Sequence, residues 1–430
     1  MQQVPLTTVL REWGRIGCIG FGGPPAHIRL LRQLVVERRG WLDAREFEDA
    51  IAVCNMMPGP ASTQLAIFCA WRLRGRAGAL TGGAGFILPG LVVILALSVL
   101  FLAGTPPLWV LGAGAGAGAA VPAVAVQAGW SLLGPSWQKK AAAVRWVCYV
   151  AAGLAAAPTV GPWLVLVLLG CGTTELLVRV RAVRSGDSGP GAAGTGGSAG
   201  TSANDGTGDP GTDGGSGTGG TRARSDDSGG SGTQGRLHGL VAAPALVLAV
   251  GGGVLASVAW EAFKIGGLSF GGGFVIIPLM QADVVGHYHW MSGAQFLNAV
   301  ALGQITPGPV VQTVAVVGYA AAGIAGGLLA SAVAFTPSFL LVLFGGPRFQ
   351  QIRGDARARA YLDGAGPAAI GAIFGSAVAL TRELSHPWQY AVLAGALVLL
   401  LPLRRGVVLT LLGGAAIGVA IALAAGTVAP

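Results

Sequence analysis

Charge is scarce in this chain, and lysine scarcest of all. Only 10% of its 430 residues are Asp, Glu, Lys or Arg, against about 25% in a typical soluble domain. Three lysines stand beside 24 arginines, for a net charge of +9. A soluble enzyme of this length needs polar faces on most of its helices, and almost none are available. The basic residues fall in short loops between apolar runs rather than on one face, which argues against nucleic-acid binding. Cys18, Cys54, Cys69, Cys148 and Cys171 are widely spaced and never form C-x-x-C, so a disulfide framework or a thiolate metal site is not expected. No phosphate-binding loop, zinc-protease helix motif or dinucleotide fingerprint occurs, so no cofactor, metal or ATP drive is expected. Gly267-Leu268-Ser269-Phe270-Gly271 has nucleophile-elbow spacing. No strand precedes it, and it reads as a chance pattern. Residues 1–10 lack the basic stretch that opens a cleavable signal peptide.

Apolar sequence is what the chain has instead. Hydrophobic residues make up 53% of it, and its mean hydropathy is +0.65. Runs near spanning length recur at 77–104, 107–133, 141–157, 160–178, 322–345, 362–381, 388–403 and 406–425. Several are rich in Gly and Ala, as where helices pack closely in lipid. The expected fold is an all-α polytopic membrane protein of 12 to 14 segments. Residues 185–236 are almost wholly Gly, Ser, Thr, Asp, Ala and Arg, which cannot bury a core. They read as a disordered cytoplasmic linker between residues 1–184 and 237–430. An apolar stretch at 237–253 supplies an extra span.

The two halves are copies. Residues 12–60 return at 261–309 without a gap, so that Glu12, Phe21, Gly22, Gly23 and Trp41 become Glu261, Phe270, Gly271, Gly272 and Trp290. With one residue deleted, Gly75, Gly78 and Pro89 become Gly323, Gly326 and Pro337. The basic loops of the first half (Arg72/Arg74/Arg76, Lys139/Lys140/Arg145, Arg179/Arg181/Arg184) are each separated by two apolar runs. Those of the second half (Arg348/Arg353/Arg357/Arg359, Arg404/Arg405) align with uncharged turns of the first. Under the positive-inside rule, the halves are expected to be inverted.

Duplicated apolar units with Gly/Pro interruptions at matching places point to a secondary transporter and to its binding site. Pro58-Gly59-Pro60 and Pro307-Gly308-Pro309 sit inside such stretches and should break their helices. Broken backbone at membrane depth lines a cavity or is buried in protein. A restarted half-helix aims free N–H groups at that cavity, which suits an anion. The polar neighbours are Asn55, Ser62, Thr63 and Gln64 in one repeat, and Gln304, Thr306, Gln312 and Thr313 in the other. Gly22-Gly23 and Gly271-Gly272 end the first helix of each repeat and offer either a second backbone lobe or close packing. Glu12 with Arg15, and Glu261 with Lys264, are expected i,i+3 pairs, candidates for proton coupling or for a purely structural role. His27, Arg29, Arg32 and Glu37 follow the first Gly-Gly only, as a candidate gate. Asp43-x-x-Glu46 and Ser292-x-x-Gln295 read as capping boxes.

Gly20-Phe21-Gly22-Gly23-Pro24 through Ala26-His27 and Arg32, then Val36-Glu37, Trp41, Phe47 and Pro58-Gly59-Pro60, resembles the bacterial chromate transporter family. Phe270-Gly271-Gly272-Gly273 to Pro307-Gly308-Pro309 is similar to that family's second domain. The resemblance implies a two-domain exporter of chromate in the cytoplasmic membrane, driven by the proton-motive force, with sulfate as competing or exchanged anion. It carries over to Gly22, Gly23, His27, Arg32, Glu37, Gly271, Gly272 and both triplets. The alternatives left open are an inward oxyanion permease and, further off, an anion channel. An enzyme is not indicated, and a homodimer is left open.

Overall fold

The computed structural model describes residues 4–138, 140, 142–159, 163–184, 253–269, 276–345 and 356–425. The linker 185–236 lies outside the described residues, as do nearly all of 237–253 and Gly271 and Gly272. In the first repeat α1 (Leu6–Ile19) leads to α2 (Pro24–Arg32), which runs on as a π-helical turn (Gln33–Arg38). Then come α3 (Ala44–Met56), α4 (Ala61–Phe101), α5 (Leu108–Gln138), α6 (Ala143–Thr159) and α7 (Leu164–Arg184). The second repeat has α8 (Val254–Leu268), α9 (Ile276–Gln281) with its own π turn (Ala282–His287), α10 (Gly293–Ile305) and a 3-10 turn (Val310–Gln312). It continues through α11 (Thr313–Gly345), α12 (Ala356–Arg382), α13 (Pro387–Leu400) and α14 (Val407–Ala425).

Local chemistry repeats with the sequence. The Trp41 amide donates to the Val35 carbonyl at 2.7 Å, and the Trp290 amide to the Val284 carbonyl at 2.9 Å. Ser292 and Gln295 close a full capping box at α10. At α3 the expected box is only half made. Asp43 accepts from the Arg45 amide at 3.0 Å, while Glu46 turns outward to pair with Arg72.

Both α4 and α11 are hairpins. Non-helical backbone at Arg74–Gly75 and at Ala322–Gly323 divides each into two arms, with φ of +57° and +61° at the two glycines. A Cβ on Gly78 would collide with the Ala70 carbonyl, and one on Gly318 with the Gly326 carbonyl. Residues eight apart lie about 12 Å apart along a straight helix, so the arms fold back on each other. A second reversal surrounds the triplet of repeat two. A Cβ on Gly303 would meet the side chain of Thr313 and come within 3.5 Å of its Cα, which puts Pro307-Gly308-Pro309 at the tip of a hairpin between α10 and α11. Among the described residues, five helices are long and apolar enough to cross a membrane: α4, α5, α11 with its 3-10 turn, α12 and α14.

The repeats exchange partners. α5 packs on α13 and α14 of the second repeat, and α12 packs on α6 and α7 of the first. Glycine permits this approach: a Cβ on Gly112 would lie 2.6 Å from the Gly418 carbonyl, and one on Gly414 2.6 Å from the Gly116 carbonyl. Gly375 of α12 stands equally close to the Leu154 carbonyl of α6. Small residues at helix contacts let dispersion forces act where no hydrophobic drive exists. Reciprocal contacts of this kind are those of a two-fold, isologous interface.

Candidate functional site

Both Pro-Gly-Pro triplets are non-helical, as their prolines require. α3 stops at Met56 and α4 restarts at Ala61, while α10 stops at Ile305. Gly59 and Gly308 take φ of +118° and +102°, which a side chain would strain. The Gly59 amide donates to the Ser269 carbonyl at 3.0 Å, and the Gly308 amide to the Gly20 carbonyl at 3.1 Å. Ser269 and Gly20 are equivalent positions, so each broken segment docks on the end of the other repeat's first helix. Neither triplet glycine therefore has a free N–H, and any amides open to an anion are those of the turns that restart after the triplets.

The kinked second arms complete the crossing. A Cβ on Gly59 would come 3.0 Å from Ser338 Oγ of α11 and 2.5 Å from Gln64 Nε2. Gln64 Nε2 itself donates to the Pro58 carbonyl at 2.6 Å. On the other side Gly90 of α4, the repeat counterpart of Ser338, packs against Pro307 and Gln312. Gln312 Nε2 donates to the Ile87 carbonyl at 2.6 Å.

Around these breaks polar atoms are buried without partners. Thr63 Oγ1, Ser269 Oγ, Ser338 Oγ, Gln64 Oε1 and Gln304 Nε2 make no hydrogen bond within the protein. Each such group costs about 1–3 kcal/mol, and native structures contain few of them. Pro60 and Pro309 supply no side-chain cap to the helical turns they precede, so first-turn amides there remain available to an outside acceptor. Three hydroxyls without partners and two uncapped turns thus lie buried around the breaks.

His27 ties the first repeat into this region. Its side chain is fully buried, with Nε2 2.9 Å from the Gly20 carbonyl and Nδ1 3.3 Å from Ser62 Oγ. A carbonyl only accepts, so Nε2 carries the proton, and Nδ1 of the neutral ring accepts from the Ser62 hydroxyl. The Gly20 carbonyl therefore receives both His27 and the Gly308 amide. Gly22 and Gly23, with φ of +95° and +72°, turn the chain so that α2 brings His27 back. A Cβ on Gly23 would lie 3.6 Å from Val310, beside the second triplet. The equivalents of His27 and Ser62 are Ile276 and Val311, so this pair belongs to one repeat only.

Other expected residues are placed differently. The hydroxyls of Thr306 and Thr313 are spent on the Leu302 and Val310 carbonyls, at 2.9 and 2.8 Å. Asn55 lines a mainly apolar cavity of about 340 Å³ with Leu132, Ser136, Leu268 and Tyr361. Glu12 does not pair with Arg15, which is exposed. It pairs with Arg39 at 2.6 Å, because the π turn brings residue 39 back over α1. Lys264 pairs with Glu261 at 2.6 Å as expected, and also with Asp283. Arg32 pairs with Glu48 and Glu37 at 3.2 and 3.7 Å, and Arg29 is exposed. None of these charged groups hydrogen-bonds or ion-pairs with a triplet residue. Ser338 and Asp283 are not among the residues singled out from sequence, and Ser269 stands there only within a chance nucleophile-elbow pattern. The repeat alignment held a signal for each, since their counterparts Gly20, Gly90 and Leu34 are apolar or have no side chain.

A family model described as chromate transporter matches residues 7–174 and 256–419. The chain is similar to a chromate transport protein of Cupriavidus metallidurans, 27% identical over 377 residues that cover 86% of this chain and 81% of that protein. It is also similar to a probable chromate transport protein of Synechococcus elongatus, 25% identical over 86% of this chain and 84% of that protein. A chromate transport protein of Pseudomonas aeruginosa is 28% identical over 86% and 79%. No solved structure matches the chain.

Proposed function

The chain belongs to the chromate transporter family, and from that premise we propose that it exports chromate across the bacterial cytoplasmic membrane, driven by the proton-motive force. The observation that carries the reading is the pair of broken segments, each docked on the other repeat, with unpartnered hydroxyls buried around them. A tetrahedral dianion needs several converging donors when it leaves water. Thr63, Ser338 and Ser269, with the uncapped turns after Pro60 and Pro309, supply donors without a fixed counter-charge. Neutral donors hold an anion and still release it. Sulfate has the same shape and charge, so it is a competitor at this site. The proton-motive force as energy source is what the family resemblance implies, and the sequence carries no nucleotide-binding motif.

The test is chromate flux in everted membrane vesicles, with and without an imposed proton gradient, with sulfate as competitor. The reading expects saturable, gradient-dependent chromate accumulation that sulfate inhibits. Accumulation that ignores the gradient would replace a coupled exporter with a channel or exchanger.

A further inference from the structure

Duplication gives this molecule an internal control for its buried charges. Glu12 and Glu261 are equivalent, and both are buried on the first helix of their repeat. Their surroundings have diverged. Glu12 has Arg39 at 2.6 Å and Arg11 at 4.0 Å, and the first repeat's equivalent of Asp283 is Leu34. Glu261 has one cation, Lys264, whose Nζ lies 2.6 Å from Oε2. At the counterpart of Leu34 stands Asp283, which also contacts Lys264. The second repeat thus holds two carboxylates to one ammonium, where the first holds one carboxylate to two guanidinium groups.

Burial makes this count matter. Glu261 is 1% exposed and Asp283 5%. The Lys264 ammonium lies 2.6 Å from Glu261 Oε2 and also contacts Asp283, so one cation is shared between two buried carboxylates. Among the described residues no other cation adjoins the pair. α11, which packs along α8, has no charged residue and one titratable group, Tyr319. α9 carries none, and its Gln281 is engaged by Glu383 at 3.0 Å. The π turn contributes Asp283 and His287, and His287 stacks edge-on against Tyr288. An uncompensated carboxylate in such a place is costly to keep ionised, and ionisable groups inside membrane proteins line ion and proton pathways.

We propose that Glu261 and Asp283, bridged by Lys264, form a proton-binding site in the second repeat, and that the proton it exchanges is the one coupled to anion movement. One carboxylate takes the proton to become a neutral acid while the other keeps Lys264 as its partner. Loss of the proton leaves a net charge of −1 and a pull on Lys264 from both sides. Lys264 can shift between the two oxygens, which ties the protonation state to the angle between α8 and the π turn. The coupling role rests on the proposed proton-driven transport of chromate. The proton site does not.

Two measurements on the full-length protein separate these claims. Infrared spectroscopy of purified protein should show a protonated-carboxyl stretch at neutral pH that is absent from Glu261→Gln and from Asp283→Asn, and retained in Glu12→Gln. No such band in the unmodified protein, or a band unchanged in both variants, overturns the proton site. In proteoliposomes, Asp283→Asn should lose at least tenfold of gradient-driven chromate accumulation, while chromate–chromate counterflow stays within about twofold. Normal accumulation with an unchanged pH profile overturns the coupling role. If the unmodified protein moves no chromate with a proton gradient, the proposed function fails, and the infrared result still decides the site. Asp283→Leu, which restores the residue of the first repeat, provides a second variant should the asparagine change prevent assembly.

Discussion

Removing the imidazole of His27 strands a buried hydroxyl and takes one of two donors from the Gly20 carbonyl. Ser62 loses its acceptor, and the remaining bond from the Gly308 amide is left to hold the second triplet against α1. His27→Ala is therefore expected to destabilise the fold by about 1–3 kcal/mol, read as a lower melting temperature in detergent, and to reduce chromate flux. An unchanged melting temperature would show that the ring does not brace the crossing. Changes at Gly59 are less informative than they look from sequence. A side chain there meets Gln64 and Ser338 and must adopt a φ of +118°, so loss of flux in Gly59→Val reports on folding as much as on the anion. Thr63 and Ser338 are better probes, because their hydroxyls hold nothing else together.

Helices and their breaks were legible because apolar periodicity and Gly/Pro punctuation are local signals. All eight apolar runs correspond to a helix or to the second arm of a hairpin. The reversal at Arg74–Gly75 falls in a basic loop, and the alignment transfers it to Gly323. The swap of partners was not legible. A bond from Gly59 to Ser269 spans 210 residues, and no local pattern encodes which helix end receives it. The same applies to Arg39, which displaces Arg15 as the partner of Glu12 through a π turn that hydrophobic spacing does not announce. At this scale the account predicts that α5 is held to α14 by glycine contacts. Gly116→Leu would drive a side chain into the Gly414 carbonyl, a clash worth about 1–3 kcal/mol or more. Gly134→Ala on the same helix meets nothing within 4 Å and should be silent. Equal thermal stability of the two variants in detergent would contradict the packing described.

For the whole molecule, the exchanged contacts place the repeats about a two-fold relation, and the basic loops orient it. We propose that the axis lies in the membrane plane, because the basic turns of one half match the uncharged turns of the other. Single cysteines at Gly75 and Gly323 should then be labelled from opposite sides of the membrane. Labelling from the same side would rotate the axis to the membrane normal. Inversion matters for function, since it lets one central crossing present equivalent halves to either face. That crossing as the anion site is the central claim, and equilibrium binding of chromate to purified protein tests it most directly. Combining Thr63→Val with Ser338→Ala removes two unpartnered donors at nearly constant shape. Hydrogen bonds to a charged group contribute about 1.5–3 kcal/mol each, and about 1.4 kcal/mol is a tenfold change in affinity. The account predicts chromate binding at least tenfold weaker in the double variant, with sulfate displacing chromate from the unmodified protein and with helicity and melting temperature retained. Unchanged chromate affinity in a folded double variant would contradict it.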